Sequence, residues 1–545
     1  MTLWRFLNSH SDVPLTRVMA IAAVSGLSNA MLLAVINHAA YSVSSEGMNI
    51  QMFFLFIIAI GIYILSQGYI LRRSSIEVEK IIARLRVSLA DKIRQADLQS
   101  LEHLGRSQLY SVMNSDTLTI SQTTAPMILA GQGAILVLFS MIYLFYLSKV
   151  AFGLTLVIVG AGVFVHTVNK QQLKSEMERA TERENEFFDV LTHLIDGFKE
   201  VKVNTARGKD LFKHLKEIAA QVATLKTKTA VRYADKYIFS QVLFYLLIGA
   251  MVFIVPSMTT VEADDIQQIT ASILFIIGPL SMVVSAYPAF RAADHAVQNV
   301  LRLESELVRA QSSATAKNGS GALAPPFQSI EMKGIRFSYQ DSGGRQVFTV
   351  GPLDFTLRQG EIVFIVGGNG SGKSTFLKLL TSLYYPEAGT IYLDGVDVKA
   401  IGAQNYRELY SVIFSDYHLF ERLYGTANVE DRRVFELLRL MQIEQKTTWA
   451  GGRFENQDLS TGQRKRLALI ISLLEEKAIY IFDEWAADQD PAFRQFFYET
   501  LLPEMKRRGK TIIAATHDDR YFHVADRTLK MEVGQFVSGD GEAQT

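Results

Sequence analysis

The chain has 545 residues, room for several domains, and its 55 basic residues balance 55 acidic ones, so no global charge draws it to nucleic acid. It has no cysteine, which excludes disulfides and thiolate metal sites. Hydrophobic residues make up 49% and mean hydropathy is +0.14, high for a water-soluble enzyme, with the long apolar runs gathered in the N-terminal part.

Six of those runs approach the roughly 20 apolar residues needed to cross a bilayer: residues 18–41, 52–71, 126–147, 151–168, 237–258 and 269–289. Arg5 and Arg17 ahead of the first run suggest a signal peptide, but the run is too long and no small-residue cleavage site closes it, so it reads as an uncleaved span. Residues 72–123 are rich in Arg and Lys and residues 170–236 carry fourteen, whereas 42–51 have none and Glu262, Asp264 and Asp265 lie in a loop without a basic residue. Positive charge stays inside. A multi-pass membrane protein with both termini and both long segments in the cytoplasm is therefore expected.

Residues 76–104 and 176–228 repeat apolar positions at three- and four-residue spacing, the second broken near Asp196-Gly197 and Arg207-Gly208. The spans should thus continue as helical struts; about 25 extra residues at 1.5 Å each would reach roughly 35–40 Å. Acidic residues interleaved along both segments argue against helices lying on the membrane surface. Asn29, Asn37, His38, Gln67, Gln132 and Gln241 interrupt the apolar runs. Such groups either face a wet cavity or bond across helices. Tyr143, Tyr146, Phe244 and Tyr245 read as packing or interface anchors, and Pro279 and Pro288 as kink positions.

The run QSSATAKNGSGALAPP at residues 311–326 has no apolar period and reads as a linker. The expected layout is a membrane domain at 1–310, a linker at 311–327 and a soluble α/β domain at 328–545.

In the soluble part, residues 330–350 alternate like strands around the turn Asp341-Ser342-Gly343-Gly344, and Tyr339 just before it could stack on a base. The apolar strand 362–366 runs into GGNGSGKST, that is Gly367, Gly368, Asn369, Gly370, Ser371, Gly372, Lys373, Ser374 and Thr375, and helical residues 376–380 follow. Strand, glycine loop and helix are the context that GxxxxGK[ST] requires. Backbone N–H groups close around phosphate oxygens there, Lys373 reaches the β/γ-phosphates of ATP and Ser374 ligates Mg²⁺. Another buried strand, 478–482, ends in Asp483-Glu484. Asp483 is placed to hold Mg²⁺ and Glu484 to deprotonate an attacking water, help worth about 10²- to 10⁴-fold. A third strand, 511–515, delivers Thr516-His517, with His517 placed to donate to the γ-phosphate.

Leu459-Ser460-Thr461-Gly462-Gln463, between the phosphate loop and the Asp483 strand, completes a pattern that resembles the ATPase of ABC transporters. The six spans with long cytoplasmic extensions resemble the exporter type, and Asp196-Gly197-Phe198-Lys199-Glu200-Val201 is similar to its second coupling region. The resemblance implies a six-helix all-α transmembrane domain fused to an α/β P-loop ATPase domain. It implies that Tyr339 stacks on adenine, that Ser460, Thr461, Gly462 and Gln463 close on the γ-phosphate, that Asp490 is the D-loop aspartate and that His517 is the switch histidine. Because one chain carries one phosphate loop and one signature, it further implies a half-transporter working as a homodimer with two composite sites.

The resemblance has departures. Ser415, in Ile413-Phe414-Ser415-Asp416-Tyr417-His418-Leu419-Phe420, occupies the place of the family's Q-loop glutamine, so a bridging water or Asp416 is expected to substitute. Trp485 and Asp488 depart from the common DEPTSALD pattern. FSDYHLF, FDEWAADQDP, the run 493–503 and ATHDDRYF together resemble the bacterial cyclic-peptide exporters, which carry siderophore precursors, cyclic lipopeptides and a lasso-peptide microcin. This implies export of a constrained peptide across the bacterial inner membrane to the periplasm, without processing of a leader by this chain. An exporter of lipids or diverse drugs, and an ATP-gated channel or regulator, are the alternatives.

Overall fold

A computed structural model describes residues 2–12, 15–46, 50–168, 170–258, 263–312, 327–340, 344–425 and 429–537. Contacts divide the chain into one unit of Met1–Ser88 with Tyr110–Arg302, and another of Leu89–Leu109 with Leu303–Thr545. The expected linker residues 313–326, the turn residues 341–343 and Glu262 lie outside the described residues, as do the side chains of Asp264 and Asp265.

Among the described residues the membrane part is almost entirely helical. In chain order come α1 (Thr2–His10), α2 (Leu15–Glu46), α3 (Ile50–Gln95), α4 (Leu98–Leu104), α5 (Thr117–Leu147), α6 (Lys149–Val168), α7 (Lys170–Asp196), α8 (Phe198–Val203), α9 (Thr205–Gly249) and α10 (Ala263–Ser312). A chain in lipid must satisfy its backbone internally, and helices do so segment by segment. All six apolar runs fall on helices. Five of these are long and apolar enough to cross a membrane, and the sixth run lies on α6, whose apolar stretch Lys149–Gly162 is shorter.

The struts are continuous where the sequence period is continuous. α3 runs for 46 residues without a break. Between α7 and α9 the helix breaks at Gly197, as expected, but the second break is at Asn204 and not at Arg207-Gly208. Asn204 is extended, and its Oδ1 accepts the Arg207 N–H at 3.1 Å. That cap starts α9 before Gly208, which is then carried inside the helix. α10 likewise continues through both Pro279 and Pro288 and extends over Gln311 and Ser312, the start of the expected linker. Two of the polar interruptions bond across helices: Asn37 Nδ2 donates to Ser272 Oγ at 3.0 Å, and Gln67 Oε1 accepts from Ser25 Oγ at 3.2 Å. Gln241 bonds Tyr237 within α9, and His38 is exposed.

The second unit is built mainly on two sheets, with a small two-stranded ribbon of residues 449–450 and 453–454 beside them. The antiparallel sheet has the order β2 (Gln346–Arg358), β1 (Ser329–Gln340), β4 (Ala388–Leu393), β5 (Val396–Asp397). The six-stranded sheet has the order β10 (Gln535–Val537), β9 (Arg527–Glu532), β3 (Ile362–Val366), β8 (Thr511–Ala515), β7 (Ile479–Asp483), β6 (Tyr410–Ile413), all parallel except β10. Its central strands are buried on both faces, which is why they read as unbroken apolar runs. Ile362, Phe364, Tyr480, Phe482, Ile512 and Ala514 join one core; Val363, Ile365, Ile479, Ile481, Ile513 and Ala515 join the other.

The register aligns the carboxyl ends of three neighbours. Ala515 pairs with Ile365 on one side and with Asp483 on the other. The chain therefore leaves β3, β7 and β8 side by side, the position where open α/β sheets bind ligands. The turn between β9 and β10 backs the loop after β3: Gly534 N–H donates to Ser371 O at 2.8 Å, and Gly534 O accepts from Gly351 N–H at 2.8 Å. Gly534 has φ +79°, and a Cβ there would lie 2.1 Å from Thr349 O. Gly534→Ala is therefore expected to destabilise the protein by about 2–4 kcal/mol, read as a lowered thermal midpoint of the full chain in lipid nanodiscs, with ATP affinity reduced alongside.

Candidate nucleotide site

The loop after β3 folds around its own lysine. Lys373 opens helix α11 (Lys373–Leu380), and its side chain is only 4% exposed. Its ammonium donates to the carbonyl oxygens of Gly367 at 3.0 Å and Gly368 at 3.1 Å. It also lies 3.3 Å from Glu484 Oε1 and 3.3 Å from His517 Nε2. Gly367 cannot be larger, because a Cβ would lie 2.2 Å from Met531 O.

The other groups reach the same point from neighbouring strand ends. Ser374 Oγ donates to Asp483 Oδ2 at 2.7 Å, while Asp483 Oδ1 is buried without a hydrogen-bond partner. Burial holds the Asp483 carboxyl above the usual range, against the Ser374 hydrogen bond and the Ser415 backbone amide. His517 Nε2 is 3.0 Å from Glu484 Oε1. Burial opposes ionisation of Glu484, but the His517 hydrogen bond and the Lys373 charge outweigh it and leave the carboxyl below its usual range. Glu484 is thus ionised at neutral pH, the form that accepts a proton.

Tyr339 OH bonds Thr375 Oγ1 at 3.1 Å, and its ring meets Tyr384 edge-on at 6.1 Å, which places the half-buried ring beside the loop. The backbone amide of Ser415 favours the ionised form of the Asp483 carboxyl. The signature residues stand apart from this cluster: among the described residues, no hydrogen bond or ion pair joins Ser460, Thr461, Gly462 or Gln463 to the phosphate loop. Ser460 caps helix α13, defined after α12 (Asp431–Leu440) as Thr461–Leu474, in a capping box with Gln463. Ser460 and Thr461 are exposed. Asp490 caps α14 (Pro491–Gln495), accepting the Phe493 N–H at 2.9 Å, and pairs with Arg466.

The sequence reading missed a second cluster in this unit. Glu102 on α4 accepts from Tyr384 OH and, at 3.2 Å, from Lys378 Nζ. Asp97, just before α4, bonds Tyr385, which also accepts from Arg407 at 3.2 Å. Nothing in the local period of residues 76–104 separates these two acids from the solvated ones around them; only the Tyr384-Tyr385 pair after α11 hints at acceptors to be found elsewhere.

Magnesium and the triphosphate fit this donor set. Asp483 Oδ1 and Ser371 Oγ are buried polar atoms without partners, one a carboxylate and one a loop hydroxyl. The Ser374–Asp483 pair offers two hard oxygen ligands, the kind Mg²⁺ takes. Phosphate oxygens would give Lys373 a fuller set of acceptors than two carbonyls supply.

Residues 350–487 match the ABC transporter family. The chain is 34% identical over 471 residues to ATP-binding protein SyrD of Pseudomonas syringae pv. syringae, covering 84% of this chain and 83% of that one. It is 24% identical over 481 residues to an ATP-dependent lipid A-core flippase of Burkholderia orbicola, covering 82% and 77%. A solved bacterial Atm1-family ABC exporter with ATP bound superposes with a TM-score of 0.77 at 18% identity, over 96% of this chain and 94% of that one, a likeness of fold.

Because the backbone amide at position 415 favours the ionised Asp483 carboxyl, Ser415→Ala should keep ATPase activity within about threefold, while Ser415→Pro, which lacks the N–H, should lose at least about tenfold. Steady-state phosphate release by the purified protein checks both.

Proposed function

The chain belongs to the ABC transporter family as an exporter-type half-transporter with an ATP-hydrolysing domain, and from that premise we propose that two copies of it export a cyclic or otherwise constrained peptide from cytoplasm to periplasm. The observation that carries the reading of the site is the meeting of Lys373, Glu484 and His517 at the ends of three adjacent strands, beside the Ser374–Asp483 pair. Half-transporter ABC exporters act as dimers. In a homodimer, the exposed Ser460 and Thr461 of one copy would complete the phosphate loop of the other.

In this mechanism ATP seats its phosphates on the loop, with the N–H groups of Gly370 to Ser374 and the Lys373 ammonium as donors. Ser374 and Asp483 would hold Mg²⁺, which would supply charge neutralisation at the phosphates. Glu484 accepts the proton of the attacking water; the water oxygen forms the new bond to the γ-phosphorus as the bond to the bridging oxygen breaks, and ADP leaves. His517, whose Nε2 bonds Glu484 Oε1, orients that carboxylate, and would turn the same N–H toward the γ-phosphate once the nucleotide is seated. Closure of the two copies turns the membrane cavity outward, and hydrolysis resets it.

The constrained-peptide cargo is supported by FSDYHLF, FDEWAADQDP and ATHDDRYF. A siderophore precursor is one candidate within that class, and the bacterial inner membrane is the matching location, with both termini in the cytoplasm. Lipid export is the second reading, favoured by the 24% identity to a lipid A-core flippase, against 34% to SyrD. A gated channel has no use for a complete set of hydrolytic groups.

Glu484→Gln should retain ATP binding, reduce hydrolysis by about 10²- to 10⁴-fold and abolish export. Metabolite profiling of a deletion strain complemented with either form identifies the cargo as the compound that stays in the cells. Export surviving in the Glu484→Gln strain would sink the hydrolysis-driven reading, and an accumulating lipid would replace the peptide.

A further inference from the structure

Trp485 and Asp488, the two departures within residues 483–490, touch the same residue. That residue is Lys465 on α13, one turn beyond the signature. Its side chain is 7% exposed, an unusual burial for a lysine. The ammonium donates to the carbonyl oxygen of Glu484 at 2.8 Å and pairs with Asp488 Oδ2 at 2.7 Å. The Trp485 indole N–H donates to the Lys465 carbonyl oxygen at 2.8 Å. Trp485 is itself buried, with its ring 4.4 Å from that of Phe497. Backbone and side chain of Lys465 are therefore both fixed.

The residue it holds needs holding. Glu484 has φ +50°, a left-handed conformation that a side-chain-bearing residue keeps only when its surroundings impose it. Its N–H donates to Ala515 O at 3.0 Å on one side, and its carbonyl receives Lys465 on the other. Both ends of the peptide are pinned, so the carboxylate is aimed at Lys373 and His517.

We propose that Lys465 is a positioning residue for hydrolysis: it fixes the Glu484 backbone in its left-handed conformation and ties that glutamate to the helix that carries the signature. A second tie runs parallel to it. Gln489 Nε2 donates to Gly462 O at 3.1 Å, and Arg466 Nε donates to Gln489 Oε1 at 2.9 Å. Gly462 seats so closely that a Cβ there would lie 2.7 Å from Asp488 O. The signature turn and the segment after Glu484 are thus one body. In the homodimer, the helix that closes on the partner's nucleotide also sets the glutamate that cleaves this copy's own.

The inference rests on the reading of Glu484 as the base, and the test keeps the two apart. Lys465→Met removes the donors and keeps the apolar stem; Asp488 is 47% exposed and is not stranded by the change. In nanodisc-embedded protein, Lys465→Met should lower kcat for ATP by about 10- to 100-fold, as a small misplacement of a catalytic group does. Affinity for a fluorescent ATP analogue and the thermal midpoint should stay at their wild-type values. Lys465→Arg, which can still donate to the carbonyl, should recover part of the rate. An unchanged kcat, or one that falls only in step with the thermal midpoint, overturns the inference. If Glu484→Gln hydrolyses ATP at the wild-type rate, the base assignment falls and the positioning role with it. If that variant is inactive while Lys465→Met is fully active, only the positioning role falls.

Discussion

One buried ammonium ion organises the nucleotide site. Lys373 is removed from water, and its charge is met by two loop carbonyls and the Glu484 carboxylate, with the His517 imidazole alongside. A charge in that position is costly unless its partners are complete. The loop therefore curls over the lysine, and Glu484 and His517 are drawn to the spot where the γ-phosphate of a bound nucleotide belongs. Phosphate oxygens can take over these contacts, which releases the carboxylate and the imidazole for chemistry.

The membrane part obeys a different constraint. Its helices carry their own backbone hydrogen bonds, so their side chains are free to be apolar along most of their length. The buried polar groups pair where they can, as Asn37 does with Ser272 between α2 and α10. Such pairs tie one helix to the next. The long struts follow from the same economy, since a helix whose apolar period continues past the bilayer has no reason to stop. They end where a side chain offers an alternative, as Asn204 does by capping α9.

Much of this was legible in the sequence because the signals are local. Apolar runs on β3, β7 and β8, each ending in a charged or glycine-rich turn, announce buried parallel strands with chemistry at their carboxyl ends. The glycine-loop motif marks Lys373, the strand endings mark Asp483 and Glu484, and His517 follows from the whole constellation; the register brings the strand ends together. What local patterns miss is who answers whom. Gln463 reads as a nucleotide contact, and in the fold its side chain also caps α13 through Ser460. Glu102 and Asp97 read as solvated acids on a strut, and Tyr384 and Tyr385 answer them. Lys465 stands in a basic run, RKR, where a solvated face is the ordinary expectation; the departures at Trp485 and Asp488 were the visible trace of its burial.

The backing of the phosphate loop has a consequence for how the protein is made. Ser371 O is held by the Gly534 amide, and Gly367 lies against Met531 O, contacts that span some 160 positions of chain. At the usual pace of synthesis, about 5–20 residues per second, roughly 10–30 s separate the translation of the loop from that of its support. Throughout that interval the membrane helices are already being inserted while the loop has no rear wall. The phosphate loop therefore gains its backing only once β9 and β10 have been made, after all the membrane helices that precede it in the chain.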